Sequence, residues 1–444
     1  MTEPRRLASK SLAVEVWSPL PPLESGVADY VHEQLDSLDR SLDLTLVAED
    51  EGRVDEAIRR RYRVVSKSRS DATKLRVYHI GNSPLHAFVY REAIRVPGVV
   101  ILHEWNLHEL LLGFAVTAND FDAYRSQMRR EHGARGSIAA QTIASALGGR
   151  HWSSVFPLNA EVLDGALAVV SLSASTAARV AARRIGVPLL HLPHHGLLRS
   201  RATNRSEARV ILGLDAEARV ILAPGLSTTA KSLDTARRAM DLIRSRAPRA
   251  ILVTVGGGDR IEPTPAEGPT IHQLGRVDLE TLGDALLAAD VVLALRFPSR
   301  GETSGVLMRA LAAGRAAIVS SGSTADADLP EGVVARVNPG PAEIDELAAL
   351  LEFLLNDDRS RLRLERLAAA TAAARGVEPL TERLAGFLVE VARDRASLGA
   401  DIRMRGKEAS RLHTLFRNEV EAAGASLGLP RVPSRIYDRL AELQ

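Results

Sequence analysis

The densest run of chemically competent residues is RFPSRGETSGVLMRALAAG, positions 296–314. It joins an apolar run, VVLAL (291–295), to a helix-forming stretch. The turn between them carries Glu302, Thr303, Ser304 and two glycines. A helix start presents unpaired N–H groups and a partial positive charge, which suits an anion such as phosphate. Thr303 and Ser304 are both able to cap that helix, and Gly305 lets a ligand approach the backbone. Glu302 reads in two ways. It is an acid that favours a helix start, or it accepts hydrogen bonds from sugar hydroxyls while the N–H groups hold a diphosphate. A nucleotide sugar would offer both partners at about that spacing.

Other segments repeat this logic. In VILAPGLSTTAKSLDTA (220–236), Lys231 sits near a helix start, as a point charge for phosphate or as a solvated surface lysine. In SPLPPLESGVADY (18–30), Ser25 and Gly26 open a helix. Gly26 either admits a ligand from the opposite wall of a cleft or is an ordinary turn residue. In VVILHEWNLHEL (99–110), His103 and Glu104 follow an apolar strand. A histidine there can orient a substrate hydroxyl or be a structural group. His103 and His108 are five apart, whereas helical zinc pairs need a spacing of four, so no metal is expected. GNSPLH (81–86) ends the preceding strand and offers Asn82 and His86. HLPHHG (191–196) offers His194 and His195, as hinge or cleft residues. The glycine run at 256–258 lacks the GxGxxG spacing and a suitably placed acid, so a dinucleotide fingerprint is not supported. The RRRYR cluster (59–63) reads as a solvated face, offset by the acidic residues before it, with contact to a membrane surface left open.

What must position these groups is a pattern of short apolar runs alternating with longer amphipathic ones. SLAVEVW (11–17), LTLVA (44–48), LRVYHI (75–80), VVILH (99–103), ALAVVSL (166–172) and LLHLP (189–193) read as strands. A polar stretch, LLRSRATNRSEA (197–208), follows, and then VILAPG (220–225), AILVTVG (250–256), HQLGRV (272–277), VVLAL and AAIVSS (316–321) resume the pattern. Strands alternating with helices predict parallel sheets of βαβ units, and the polar break predicts two such domains in series. The expected organisation is α/β. A first Rossmann-like domain spans 1–200, with a helical insertion at about 104–165. A second spans 201–378, and a helical tail spans 379–444. Parallel sheets of this kind bind ligands beyond the carboxyl ends of their strands, so the expected site is the cleft between the domains. The tail is expected to cross back and pack on the surface or make an oligomer contact.

The totals narrow the class. Lys and Arg number 57 against 55 Asp and Glu, which is no nucleic-acid-type excess over 444 residues. Cysteine is absent, which removes disulfides and thiolate chemistry. No apolar run approaches a membrane span, and the first ten residues lack a signal core. A cytoplasmic protein is expected, with peripheral contact at the inner membrane face left open.

Taken together, the motifs resemble family 4 glycosyltransferases of the GT-B fold. The match runs over about residues 11–375, through SPLPPLESGVADY, GNSPLH, VILHEWNLHEL, FPLNAEVLDGALAVVSLS (156–173), Lys231 and above all RFPSRGETSGVLMRALAAGRAAIVSS. The resemblance implies two Rossmann-like domains facing each other across a cleft. It implies transfer of a sugar from a nucleotide sugar to an acceptor, with retention and without a metal or other cofactor. By position, Glu302 and the N–H groups of Ser304, Gly305 and Val306, with Thr303, would face donor sugar and diphosphate. Lys231 would neutralise the departing diphosphate, Gly26 would lie beneath it, and Gly256 and Arg276 would lie near the base. His103 would sit by the reacting sugar, with Asn82, His86 and Glu104 on the acceptor side. The sequence also departs from the family. Its two glutamates, eight residues apart, fall at Gly301 and Arg309, with Glu302 displaced by one. The arginine about five residues before its lysine falls at Leu226. These departures motivate an alternative, a non-catalytic scaffold that binds a nucleotide sugar or a partner protein.

Overall fold

The structure, a computed structural model, describes residues 12–147, 152–224, 233–256 and 271–426. Two parallel sheets form. The first contains β1 (Ala13–Trp17), β2 (Asp43–Ala48), β3 (Arg63–Ser66), β4 (Leu75–Ile80), β5 (Val99–Leu102), β6 (Ala168–Ser171) and β7 (Leu189–His191). The second contains β8 (Arg219–Pro224), β9 (Ala250–Val255), β10 (Ile271–Gln273), β11 (Val291–Ala294), β12 (Ala316–Ser320) and β13 (Ala335–Val337). The central strands are mostly apolar because helices cover both faces, and their few polar residues, Glu15 in β1 and Arg76 and His79 in β4 among them, are buried as well. β5 and β6 are buried at every residue.

The strand orders are β3-β2-β1-β4-β5-β6-β7 and β10-β9-β8-β11-β12-β13. Each order reverses direction once, between β1 and β4 and between β8 and β11. Such a reversal opens a crevice at the carboxyl ends of the strands. The two crevices face each other. Trp105 N–H donates to the Gly301 carbonyl at 3.3 Å and Asn106 N–H to the Arg300 carbonyl at 3.0 Å, joining the end of β5 to the turn after β11.

Two strands were not anticipated, β3 and β13. Both are short edges whose burial is only partial, so they lack the continuous apolar run that marks a central strand. β3 also splits the basic cluster. Arg59, Arg60 and Arg61 close the helix Glu56–Arg61, Tyr62 is buried, and Arg63 begins the strand. The insertion after β5 holds the helices His108–Ala118, Phe121–Ala144, Trp152–Val155 and Ala160–Asp164.

The last helix, Val377–Ser426, returns to the first domain. Leu380, Leu384, Leu388 and Val391 are buried in a cluster with Val31 and Leu35 of the helix Gly26–Asp39. Each such aliphatic side chain contributes about 1.5–3 kcal/mol on full burial. The exposed Arg40–Glu378 pair alongside, at 3.9 Å, adds about 0–1 kcal/mol. Apolar contact therefore fixes this helix.

Candidate functional site

The second-domain wall begins where β11 ends. The helix Gly305–Ala312 is capped by Ser304, whose Oγ accepts from Leu307 N–H at 3.3 Å. Thr303 is half-buried and does not make the cap. Glu302 is 8% exposed and organises the turn around itself. Its carboxylate accepts from Arg296 Nη1 at 3.1 Å and from Arg300 N–H at 2.6 Å. Gly301 has φ +79°, and a Cβ there would run into Trp105 of the first domain. The place where the family has a glutamate thus has no room for a side chain, and the carboxylate stands one residue later.

The first-domain wall is built from the ends of β4 and β5. His103 is buried, its Nε2 3.1 Å from His79 Nδ1 and its ring edge-on to Tyr30 at 5.0 Å. His86 is also buried, and its Nδ1 donates to the His79 carbonyl at 3.0 Å. Burial holds these imidazoles neutral. The pKa of His86 is pushed down to about 4, that of His79 to about 3, and that of His103 well below the usual value. His86 therefore stands behind the wall, as support for His79, and His103 presents little surface to the cleft.

Glu104 is the first-domain carboxyl that lies near Glu302, and Asn82 is bonded to it. Glu104 is half-buried and accepts from Asn82 N–H at 3.3 Å. Burial first, and then the charge of Glu302 across the cleft, push its carboxyl up to about 7. The Oδ1 of Asn82 accepts from Leu110 N–H at 3.0 Å, while its buried Nδ2 has no partner. One residue thus holds Glu104 through its backbone and keeps a buried amide donor unpaired, while Glu104 itself faces the charge of Glu302.

Of the remaining expected residues, Gly256, Arg276 and the turn before Gly26 are linked to one another. Lys231 and Leu226 lie outside the described residues. Ser25 caps the helix Gly26–Asp39 by accepting from Val27 N–H at 3.2 Å, and a Cβ on Gly26 would meet open space. Gly256 takes φ +122°, and its N–H donates to the Gly275 carbonyl at 2.7 Å, closing the turn beyond β9. Arg276 is ion-paired with Glu24 of the first domain. Val306 is half-buried in the first turn of the Ser304-capped helix.

Sequence reasoning missed a buried knot between the domains. Glu33 receives His195 Nε2 at 2.7 Å and Arg309 Nη2 at 2.5 Å, all three side chains being nearly inaccessible. Gln34 Nε2 lies 3.4 Å from His195 Nδ1 and donates there, so Nε2 carries the imidazole proton toward Glu33. A Cβ on Gly305 would lie 3.3 Å from His194 Nε2, so the start of the Ser304-capped helix is seated against this knot. The residue that departs from the family, Arg309, is thus a domain-to-domain tie. In the sequence Glu33 is one of several polar residues of its helix, beside Gln34 and Ser37, and nothing there named its partner.

Among the described residues, no group of three or more His, Asp or Glu is arranged to hold a metal ion, and no helix is long and apolar enough to cross a membrane.

Residues 218–357 match the family model described as Glycosyl transferases group 1. This span runs from the start of β8 to the end of the helix Glu343–Asn356 and includes Glu302 and the Ser304 cap. No curated protein sequence matches the chain. Among solved structures, the chain is similar to HepE of Anabaena in complex with UDP and glucose, at 14% identity and TM-score 0.55, covering 85% of this chain and 100% of that one. It is similar to sucrose-phosphate synthase of Thermosynechococcus elongatus, at 14% identity and TM-score 0.60, covering 86% and 99%. It is also similar to WaaG, a glycosyltransferase involved in lipopolysaccharide biosynthesis, at 16% identity and TM-score 0.52, covering 85% and 99%. The shared feature is the fold, two parallel-sheet domains facing across a cleft. The chain thus has the two-domain fold of these structures, and its second domain carries the match to the glycosyl transferases group 1 model.

Proposed function

We propose that this protein is a glycosyltransferase that moves a sugar from a nucleotide diphosphate sugar to an acceptor hydroxyl in the interdomain cleft, with retention at the anomeric carbon and without a metal ion. The observation that carries the reading is the juxtaposition of Glu302 and the Ser304-capped helix start with Glu104 and the free Asn82 amide on the facing wall. The second domain holds the donor. The N–H groups of Gly305 and Val306 take the diphosphate, and Glu302, with Thr303 beside it, holds sugar hydroxyls. Lys231 adds a point charge as the diphosphate leaves, and Gly26, Gly256 and Arg276 border the nucleotide. HepE, whose structures contain UDP and UDP-glucose, supports a nucleotide donor of this kind.

In this reading the acceptor hydroxyl is seated by Asn82 Nδ2 and the Glu104 carboxylate. The bond from the anomeric carbon to the diphosphate oxygen breaks, and a bond to the acceptor oxygen forms on the same face. The acceptor proton leaves on the departing diphosphate. His103, kept neutral by burial, shapes the pocket floor and donates or accepts one hydrogen bond. Preorganised charge and helix N–H groups lower the barrier by opposing the negative charge that grows on the leaving group. Closing the domains excludes water.

The test is a thermal-shift screen of the full chain against UDP, GDP, ADP and their sugar conjugates without added metal. One nucleotide should raise the melting temperature, and Lys231→Ala should abolish that shift. Lys231→Ala and Glu302→Ala should each remove most turnover while the fold persists. Wild-type turnover in either variant sinks these assignments. Donor binding with neither transfer nor hydrolysis would favour the non-catalytic scaffold.

A further inference from the structure

A second concavity lies far from the cleft, between the helix Val377–Ser426 and the amino-terminal edge of the first sheet. Its volume is about 540 Å³. Its floor is apolar, made by Pro97 just before β5, Leu167 just before β6, and Ala396. The two loops are joined, since Leu167 N–H donates to the Gly98 carbonyl at 2.9 Å. His103 and Glu104 stand at the opposite end of the same strand, so the length of β5, roughly 13 Å at about 3.3 Å per residue, separates this groove from the cleft.

The rim is strongly cationic. Arg393, Arg395 and Arg403 line it, and no carboxylate does. Arg395 is held in place by two backbone carbonyls, Thr73 at 2.7 Å and Ala72 at 3.1 Å, which fix its guanidinium without neutralising it. Arg403 folds back along its helix, its Nη1 3.4 Å from where a Gly399 Cβ would be, so the absence of a side chain at 399 leaves room for it. Among the described residues neither Arg393 nor Arg403 has a hydrogen bond or an ion pair. The helix's own acids do not compensate. Asp394 and Asp401 fall on the opposite face at 3.6 residues per turn. Three guanidiniums around one concavity is an arrangement suited to bidentate recognition of phosphate. The apolar floor asks for a ligand that is not phosphate alone.

We propose that this groove binds a phosphate group attached to an apolar moiety, at a site separate from the transfer cleft. The shared chemistry is that of a soluble amphiphilic phosphate and of a lipid headgroup, and the test separates them.

Binding to the full chain is measured by calorimetry with monomeric dihexanoyl phosphatidic acid, and by flotation with phosphatidylcholine vesicles containing phosphatidic acid. The uncharged analogue dihexanoylglycerol is the control. Binding of the soluble lipid, absent for dihexanoylglycerol, weakened by added salt and reduced about tenfold or more in Arg393→Ala/Arg403→Ala, establishes the site with a free ligand. Binding to vesicles alone, lost in the same variant, establishes it with a lipid headgroup. Both arginines are exposed, so the variant should melt as the wild type does. Arg405→Ala, on the far face of the same helix, should bind normally. No binding of either probe overturns the proposal. So does equal binding by the double variant, or an equal loss in Arg405→Ala, which would reduce the effect to general basic charge.

Discussion

The tie between Glu33 and Arg309 makes a quantitative prediction about how the domains are held. The two side chains are 1% and 9% exposed, and His195, the third member, is 0% exposed. Breaking one partner of such a buried pair costs about 3–5 kcal/mol, because the surviving charge is left uncompensated. Arg309→Met leaves Glu33 bonded to His195 alone, so the lower figure applies, about 3 kcal/mol. Glu33→Gln strands the guanidinium and should cost about the same. The double variant strands nothing. Its loss should be only about 1 kcal/mol, leaving a coupling of several kcal/mol between the positions. Burial works to raise the Glu33 pKa, but the His195 hydrogen bond and the Arg309 charge outweigh it and hold it below its ordinary value of 4.5. A depressed carboxyl contributes stability that is present above the unfolded value and lost as pH falls through the folded one. The cycle should therefore show its full coupling at neutral pH and a shrinking one below pH 4.5. The assay is denaturant unfolding of the full chain and the three variants. An Arg309→Met change within about 0.5 kcal/mol of wild type, or single losses that simply add, would refute the reasoning.

Two further predictions concern the cleft. Turnover should rise as pH passes through about 7, because Glu104 must be ionised to accept a hydroxyl proton in a hydrogen bond. Glu104→Gln should flatten that profile and lower the plateau about 10- to 100-fold, the effect of one hydrogen bond to a charged group, and a profile unchanged in the variant rules this role out. Gly301→Ala forces an alanine to φ +79° with its Cβ 3.1 Å from Trp105 N, and should destabilise the domain contact by about 2 kcal/mol or more. A melting temperature equal to wild type would show that the turn relaxes freely.

The sheet architecture was legible because buried parallel strands are dominated by apolar residues, as VVIL is throughout. The edges β3 and β13 were not, since RVVS and ARV are short, only partly buried and each carries an arginine, which breaks the apolar run. Within the site, a hydroxyl cap on the helix after β11 could be read from residue type and place in the chain, and the structure gives it to Ser304 of the two candidates. The burial of His103 and His86 could not. It depends on Tyr30 and His79, which approach from other elements. Arg309 shows the limit most sharply. Its sequence marked an absence, a missing glutamate, whereas its partner is Glu33, 276 residues away. Long-range ion pairs leave no periodic trace.

The returning helix also bears on the order in which the molecule is made. Leu380, Leu384, Leu388 and Val391 complete the core around Val31, Leu35 and Leu46 of the first domain. Synthesis runs from the amino end, so every strand of the second sheet emerges before these four residues do. The nascent first domain must wait with an apolar flank uncovered while its neighbour is translated. The second domain, whose strands lie together between residues 219 and 337, has no such wait. The half of the protein that is begun first is the half that is finished last.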